Sequence, residues 1–253
     1  MHTWTNMTWS GDPYRTGQQL YPRPSPRLAA FTVDQATAGG QLAPAAVATV
    51  YLPLHRTRPL TVTDQTLTFG FHAVGTDDPA QVPGLAAVAN LALMQARRHA
   101  RILAGHQLAA DLAALRQPDS AALRGLTAVG HDWAQRSAEP GRAVMFDCGL
   151  DLPGGPPLEH ACQQAGIVIH AADPSRQAAV ASVERALLIA LVCARHLGHY
   201  NWTSTLHIKR VMASTTWDCL PWPQQGTPGS HTPQAGTPGQ ASAGSAVTPR
   251  SRQ

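Results

Sequence analysis

An α/β fold with a mixed sheet is predicted for residues 28–215, from three observations. Three extended, apolar segments follow one another near the start, joined by short connections. Beyond them, helical and extended segments alternate. The flanks, residues 1–27 and 216–253, carry no comparable apolar period. Short connections favour antiparallel neighbours, and alternation with helices calls for crossovers that cover both faces of the sheet.

The elements read as follows. "LAAFTVDQ" (Leu28–Gln35), "AAVATVYLPL" (Ala45–Leu54) and "LTVTDQTLTFGFHAV" (Leu60–Val74) are the three strands of a meander. Gly39-Gly40 breaks the first pair and Pro59 precedes the third strand. A long helix is predicted from about Val82 to Leu115, with Leu85, Val88, Leu91, Met94, Ile102, Leu103, Leu108, Leu112 and Leu115 as apolar positions. Gly105 is a point of interruption. A second helix covers Ser120 to about Arg136. "RAVMFDCGL" (Arg142–Leu150) reads as a buried strand, followed by the "PGGPP" loop and a short helix, "LEHACQQAG". "IVIHA" (Ile167–Ala171) is a strand, Ser175–Leu197 a helix, and "STLHIKRV" (Ser204–Val211) a last strand-like segment.

The flanks differ in kind. Residues 1–27 hold four prolines and scattered aromatics, an irregular arm. The tail, "PWPQQGTPGSHTPQAGTPGQASAGSAVTPRSRQ" from Pro221, repeats "GTPG" and has almost nothing to bury, so disorder is expected over 216–253.

Composition narrows the function classes. Charged residues are 13% and the net charge is +4, mildly basic and compatible with a nucleic-acid partner. Cys148, Cys162, Cys193 and Cys219 form no C-x-x-C pair and read as buried thiols of a reducing compartment. No secretory signal is visible, and the longest apolar run, "ALLIALVCA", is too short to span a bilayer, so a cytoplasmic protein without a membrane partner is expected. Phosphate-loop, dinucleotide-loop and G-x-S-x-G motifs are absent, which leaves triad hydrolases and nucleotide-cofactor enzymes without a starting residue.

Four short motifs resemble the ribonuclease H-like superfamily. "FTVDQATAGGQLAPAAVA" places Asp34 at the end of a first strand before a Gly-rich hairpin. "TDDPAQ", Thr76–Gln81, stands where the family opens its first helix with T-N-N-x-A-E. "VMFDC" ends a strand at Asp147, and "RQAAVASVERA" from Arg176 resembles the family's last helix start. The resemblance spans residues 28–197 and implies a mixed sheet of three antiparallel meander strands, then alternating helices and strands, with helices on both faces. Residues 98–141 would be a helical insertion, a place for a protein partner.

What the resemblance implies for chemistry is a divalent-metal nuclease, holding Mg²⁺ or Mn²⁺ on several carboxylates and cutting the RNA strand of a hybrid. Asp34 and Asp147 would be the central catalytic and metal-binding acids. The second acid falls on Gln81, an amide, and the fourth on Val183, with Glu184 or Asp173 as nearby substitutes. The alternative is a catalytically degenerate binding or structural module on the same fold. In either case "RRHAR" offers Arg97, Arg98 and Arg101 to the backbone of an RNA/DNA hybrid or duplex, or a solvated helix face. His170, at a strand end, matches a histidine that some family members use to release product.

Overall fold

The computed structural model describes residues 1–7, 13–14, 26–38, 40–116, 123–135, 141–169 and 177–221. Its centre is a seven-stranded sheet. Strands β1 (His2–Thr5), β2 (Arg27–Ala38), β3 (Gln41–Pro53), β5 (Gly70–Gly75), β6 (Ile102–Gly105), β7 (Val144–Asp147) and β11 (Asp218–Pro221) lie in the order β11-β1-β5-β3-β2-β6-β7. β2, β3 and β5 form an antiparallel meander, with β1 and β11 added antiparallel at its outer side. β6 and β7 run parallel to β2 on the other side. Two short parallel pairs stand apart, β4 (Leu60–Thr61) with β9 (Tyr200–Asn201) and β8 (Ile167–Val168) with β10 (Leu206–His207).

Alternation along the strands separates two cores. On β2, Leu28 and Ala30 face α6 (Ala178–His196), while Ala29, Phe31 and Val33 face α1 (Val82–His99) and α3 (Arg124–Gln135). α6 is buried continuously from Ala186 to Ala194. A helix apolar all round needs partners all round. Here the sheet covers one side, and α4 (Cys148–Asp151), α5 (Leu158–Gln164), α7 (Ile208–Ala213) and β9 contact the rest.

α1 begins from a capped turn. Asp78 accepts a hydrogen bond from Ala80 N at 2.9 Å, and Pro79 opens the 3₁₀ turn Pro79–Gln81 that leads into the helix. The acids of "TDDPAQ" thus start a helix. α1 and α3 cross at Gly125, where an added Cβ would stand 2.3 Å from the Asn90 carbonyl oxygen. The Asn90 side chain accepts from Gly125 N (2.6 Å) and Leu126 N (3.3 Å), capping α3. Gly125→Ala is therefore expected to lower stability by about 1–3 kcal/mol, because a backbone atom has to give way. Urea denaturation measures it, and an unchanged midpoint would contradict so close a crossing.

Several sequence expectations need correction. The helix predicted over Val82–Leu115 is three elements: α1, β6 and α2 (Leu108–Ala114). The chain turns extended at Ala100, and Arg101 N donates to Arg27 O at 2.8 Å. "ILAG" is buried at every residue, as a central parallel strand should be. The segment 98–141 therefore supplies a sheet strand as well as helices. Leu60–Val74 is not one strand, because a turn held by Thr63 and Thr66 separates β4 from β5. The strand expected over Arg142–Leu150 stops at Asp147 and continues as α4. Of the strand predicted at Ile167–Ala171, β8 lies outside the large sheet. Of "STLHIKRV", Leu206–His207 is the short strand β10 and the second half, from Ile208, is α7. The arm expected to be irregular contributes β1, and β11 lies inside the predicted tail; residues 222–253 lie outside the described residues. Among the described residues, no helix is long and apolar enough to cross a membrane.

Candidate functional site

β6 ends level with Phe31, beside the middle of β2, where the strand order reverses, with β3 and β5 to one side and β7 to the other. In open α/β sheets, ligands bind in the crevice at such a point. Asp34 stands there on β2. The register between β2 and β3 shifts at Asp34/Gln35, and such bulges re-aim side chains next to functional sites. Asp34 shares the phase of Leu28 and Ala30 and points toward α6, where Ser182 Oγ stands 2.9 Å from its Oδ2. The same hydroxyl lies 2.9 Å from Ala178 O, so its single proton serves one acceptor at a time.

The second acid of this corner is Asp111 on α2, only 6% exposed. It accepts a long hydrogen bond from Val33 N (3.3 Å). Burial pushes its carboxyl up to about 7; the neighbouring Arg185 guanidinium opposes this, and the Asp34 charge adds to it. The Thr32 hydroxyl is close enough to favour the ionised form but makes no hydrogen bond. Two carboxylates, a serine hydroxyl and a guanidinium thus share one corner.

Asp147 belongs elsewhere. It follows Phe146, which faces α6, so it shares the phase of Met145, which packs on the α1/α3 side. The pairings Ala30↔Ala104 and Ala104↔Phe146 put Asp147 level with Phe31 and two strands away from β2. It is therefore roughly 10 Å across the sheet and roughly 10 Å short of Asp34 along it. Its carboxylate is fully buried and accepts from Gln107 N (3.0 Å), Leu108 N (2.9 Å) and Gly149 N (2.8 Å). It caps α2 and α4, and favours the positive ends of those helices. Asp34 and Asp147 are not brought together.

The other predicted residues scatter. Gln81 closes the turn before α1: Oε1 accepts from Thr76 Oγ1 (3.0 Å) and from the Met1 amine, and Nε2 donates to Asp78 (3.3 Å). Val183 is core, fully buried against the sheet. Glu184 is half-buried on α6 and has a partner of its own. Asp173 and His170 lie outside the described residues. Arg97 pairs through two nitrogens with buried Asp132, Nη2 at 3.1 Å, and Arg142 joins them at 3.2 Å. Arg98 and Arg101 are exposed. They lie at the amino end of β6, away from the acid corner.

Sequence reasoning passed over Asp111. Leu108, Leu112 and Leu115 mark the apolar face of α2, and Asp111 sits on that face between them. A carboxylate in phase with leucines is the signal that could have found it.

Beside the corner lies a cavity of about 340 Å³. Its lining includes His106, Gly149, Gly155, Pro156, Pro157 and Arg185. His106 directly follows β6, beside β2. Among the described residues, no group of three or more His, Cys, Asp or Glu side chains is placed to hold one metal ion. Compared with protein families, with curated proteins and with solved structures, the chain matches none of them.

Proposed function

We propose that this chain is a ribonuclease H-like nucleic-acid-binding module that has lost two-metal phosphodiester hydrolysis. The sheet plan supports the first part. A three-stranded antiparallel meander has its first strand in the centre, two parallel strands follow on the other side, and helices cover both faces. That is the architecture the sequence motifs imply.

The donor chemistry of the corner carries the second part. Mg²⁺ is a hard cation that needs several anionic oxygens, and two such ions need more. Among the described residues, the corner offers Asp34 and Asp111, of which Asp111 keeps a proton up to about pH 7, and it adds the Arg185 cation. Ser182 contributes a neutral hydroxyl where another acid would strengthen the site. This set does not fit a pair of divalent ions.

What remains is attraction for phosphate backbone. Arg98 and Arg101 are exposed, whereas Arg97 is occupied by Asp132. Affinity for a duplex is expected to fall linearly with salt on logarithmic axes. The Arg98→Ala/Arg101→Ala double variant should reduce that slope by about 2. A hybrid substrate should survive Mg²⁺ or Mn²⁺. A salt-independent affinity would refute backbone binding. Metal-stimulated cleavage that disappears in Asp34→Asn and Asp111→Asn would instead establish the nuclease reading.

A further inference from the structure

The cavity beside the acid corner contains buried polar atoms that the fold leaves unused. His106 is 6% exposed, and among the described residues neither ring nitrogen has a hydrogen-bond partner. Arg185 Nε is buried and likewise unpartnered. Both residues line the cavity. Buried donors and acceptors are almost always satisfied, and each exception calls for a cause. Two such residues around one cavity point to a ligand that satisfies them.

The wall is built to leave one of these atoms open. Gly149 lines the cavity, and a Cβ added there would stand 3.6 Å from His106 Nε2 and 3.2 Å from Asp147 Oδ1. A side chain at this position would fill the space over the imidazole. The Asp147 carboxylate nearby accepts from three main-chain N–H groups and makes no hydrogen bond to the ring.

We propose that this cavity binds a phosphomonoester anion, held by Arg185 Nε–H and by the His106 imidazole. The chemistry of the unpartnered atoms selects this class. A neutral imidazole presents one donor and one acceptor, and an arginine presents donors only. A phosphomonoester has its second ionisation near pH 6, so around neutrality it is mostly the dianion, whose terminal oxygens accept from the Arg185 and imidazole N–H groups while hydroxyls of its organic part donate to the remaining ring nitrogen. A carboxylate brings a smaller charge and fewer acceptor oxygens to the same donors. Asp111, holding its proton up to about pH 7, leaves the Arg185 charge incompletely balanced and available to an anion. Pro156 and Pro157 give an apolar wall for the organic part, and the carboxylate of exposed Glu159 stands at the lining to accept from a hydroxyl. The volume suits a mononucleotide-sized ligand better than a bare ion. The inference does not rest on the function proposed above: it needs neither Arg98 nor Arg101 and no duplex.

The test uses the full chain and NMR of its histidine ring protons, with His106 assigned through His106→Gln. Inorganic phosphate and adenosine 5′-monophosphate are titrated separately. Saturable shifts of the His106 signals are expected, with the mononucleotide half-saturating at about 1 mM or below. Arg185→Gln, shown to be folded by its thermal transition, should weaken this binding about tenfold or more. If that variant does not fold, the wild-type titration alone decides. An oligonucleotide with a 5′-phosphate, set against the same strand with a 5′-hydroxyl, separates the two sources of the ligand. Dependence on the terminal phosphate assigns the cavity to a strand end, and binding of the mononucleotide alone assigns it to a free metabolite. His106 signals that stay fixed under both phosphate and mononucleotide would overturn the proposal, whatever the duplex experiments show.

Discussion

Asp147→Ala is expected to destabilise the protein by about 3–5 kcal/mol, which is among the largest effects of any single truncation here. The carboxylate accepts from Gln107 N, Leu108 N and Gly149 N, and the first two open α2. Truncation leaves these donors facing a dry void beside β7. Asp147→Asn separates a cap from a metal ligand. A ligand acid in an empty site suffers repulsion from its neighbours, so its amide variant should gain stability. A cap loses charge-assisted bonds and turns an N–H₂ toward N–H donors, so its amide variant should lose stability. Loss in urea denaturation is the expected result. A gain would put Asp147 back among ligand acids.

The second large effect concerns pH. Asp111 has its carboxyl raised from 3.8 to about 7, chiefly by burial. The folded state holds the proton that the unfolded chain releases near pH 4. The contribution of this group to stability is therefore fully present below pH 4 and is lost as pH rises toward 7. The total is on the order of 4 kcal/mol. Asp111→Asn removes the ionisation and keeps an oxygen to accept from Val33 N. The variant should be more stable than the wild type at pH 8 by a few kcal/mol, and close to it at pH 4. Paired thermal melts at the two pH values measure the difference. Equal shifts at both would mean that Asp111 does not carry this titration. An acid retained on an apolar helix face at such a cost is a mark of use rather than of architecture.

The meander was legible because its evidence is local. Strands β2 and β3 announce themselves by β-branched and apolar residues between a glycine pair and prolines, and α6 by a long apolar run. β6 was not legible. Ile102 and Leu103 extend the run of apolar positions from Leu91 toward Leu108, and only pairing with β2 and β7 makes the segment a strand. That misreading propagated to the site. With β6 hidden inside a helix, the resemblance made Asp34 and Asp147 the central acids of one site, although β6 separates their strands. Asp34 was found because a strand end and a hairpin frame it. Asp111 was missed because its partner, Val33 N, lies 78 residues away, and its phase with the α2 leucines was the one local sign of it. Arg97 read as a free cation for the same reason, since its acid, Asp132, is on another helix.

The enclosure of α6 also sets a schedule for synthesis. β2, β3, β5 and β6 emerge from the ribosome long before residues 178–196, yet one face of each is finished only by that helix. Until it arrives, Leu52, Phe71 and Ile102 belong to an open greasy surface. A nascent chain stalled before α6 should therefore be sticky and protease-sensitive, and should depend on holdase chaperones until the last third has been made.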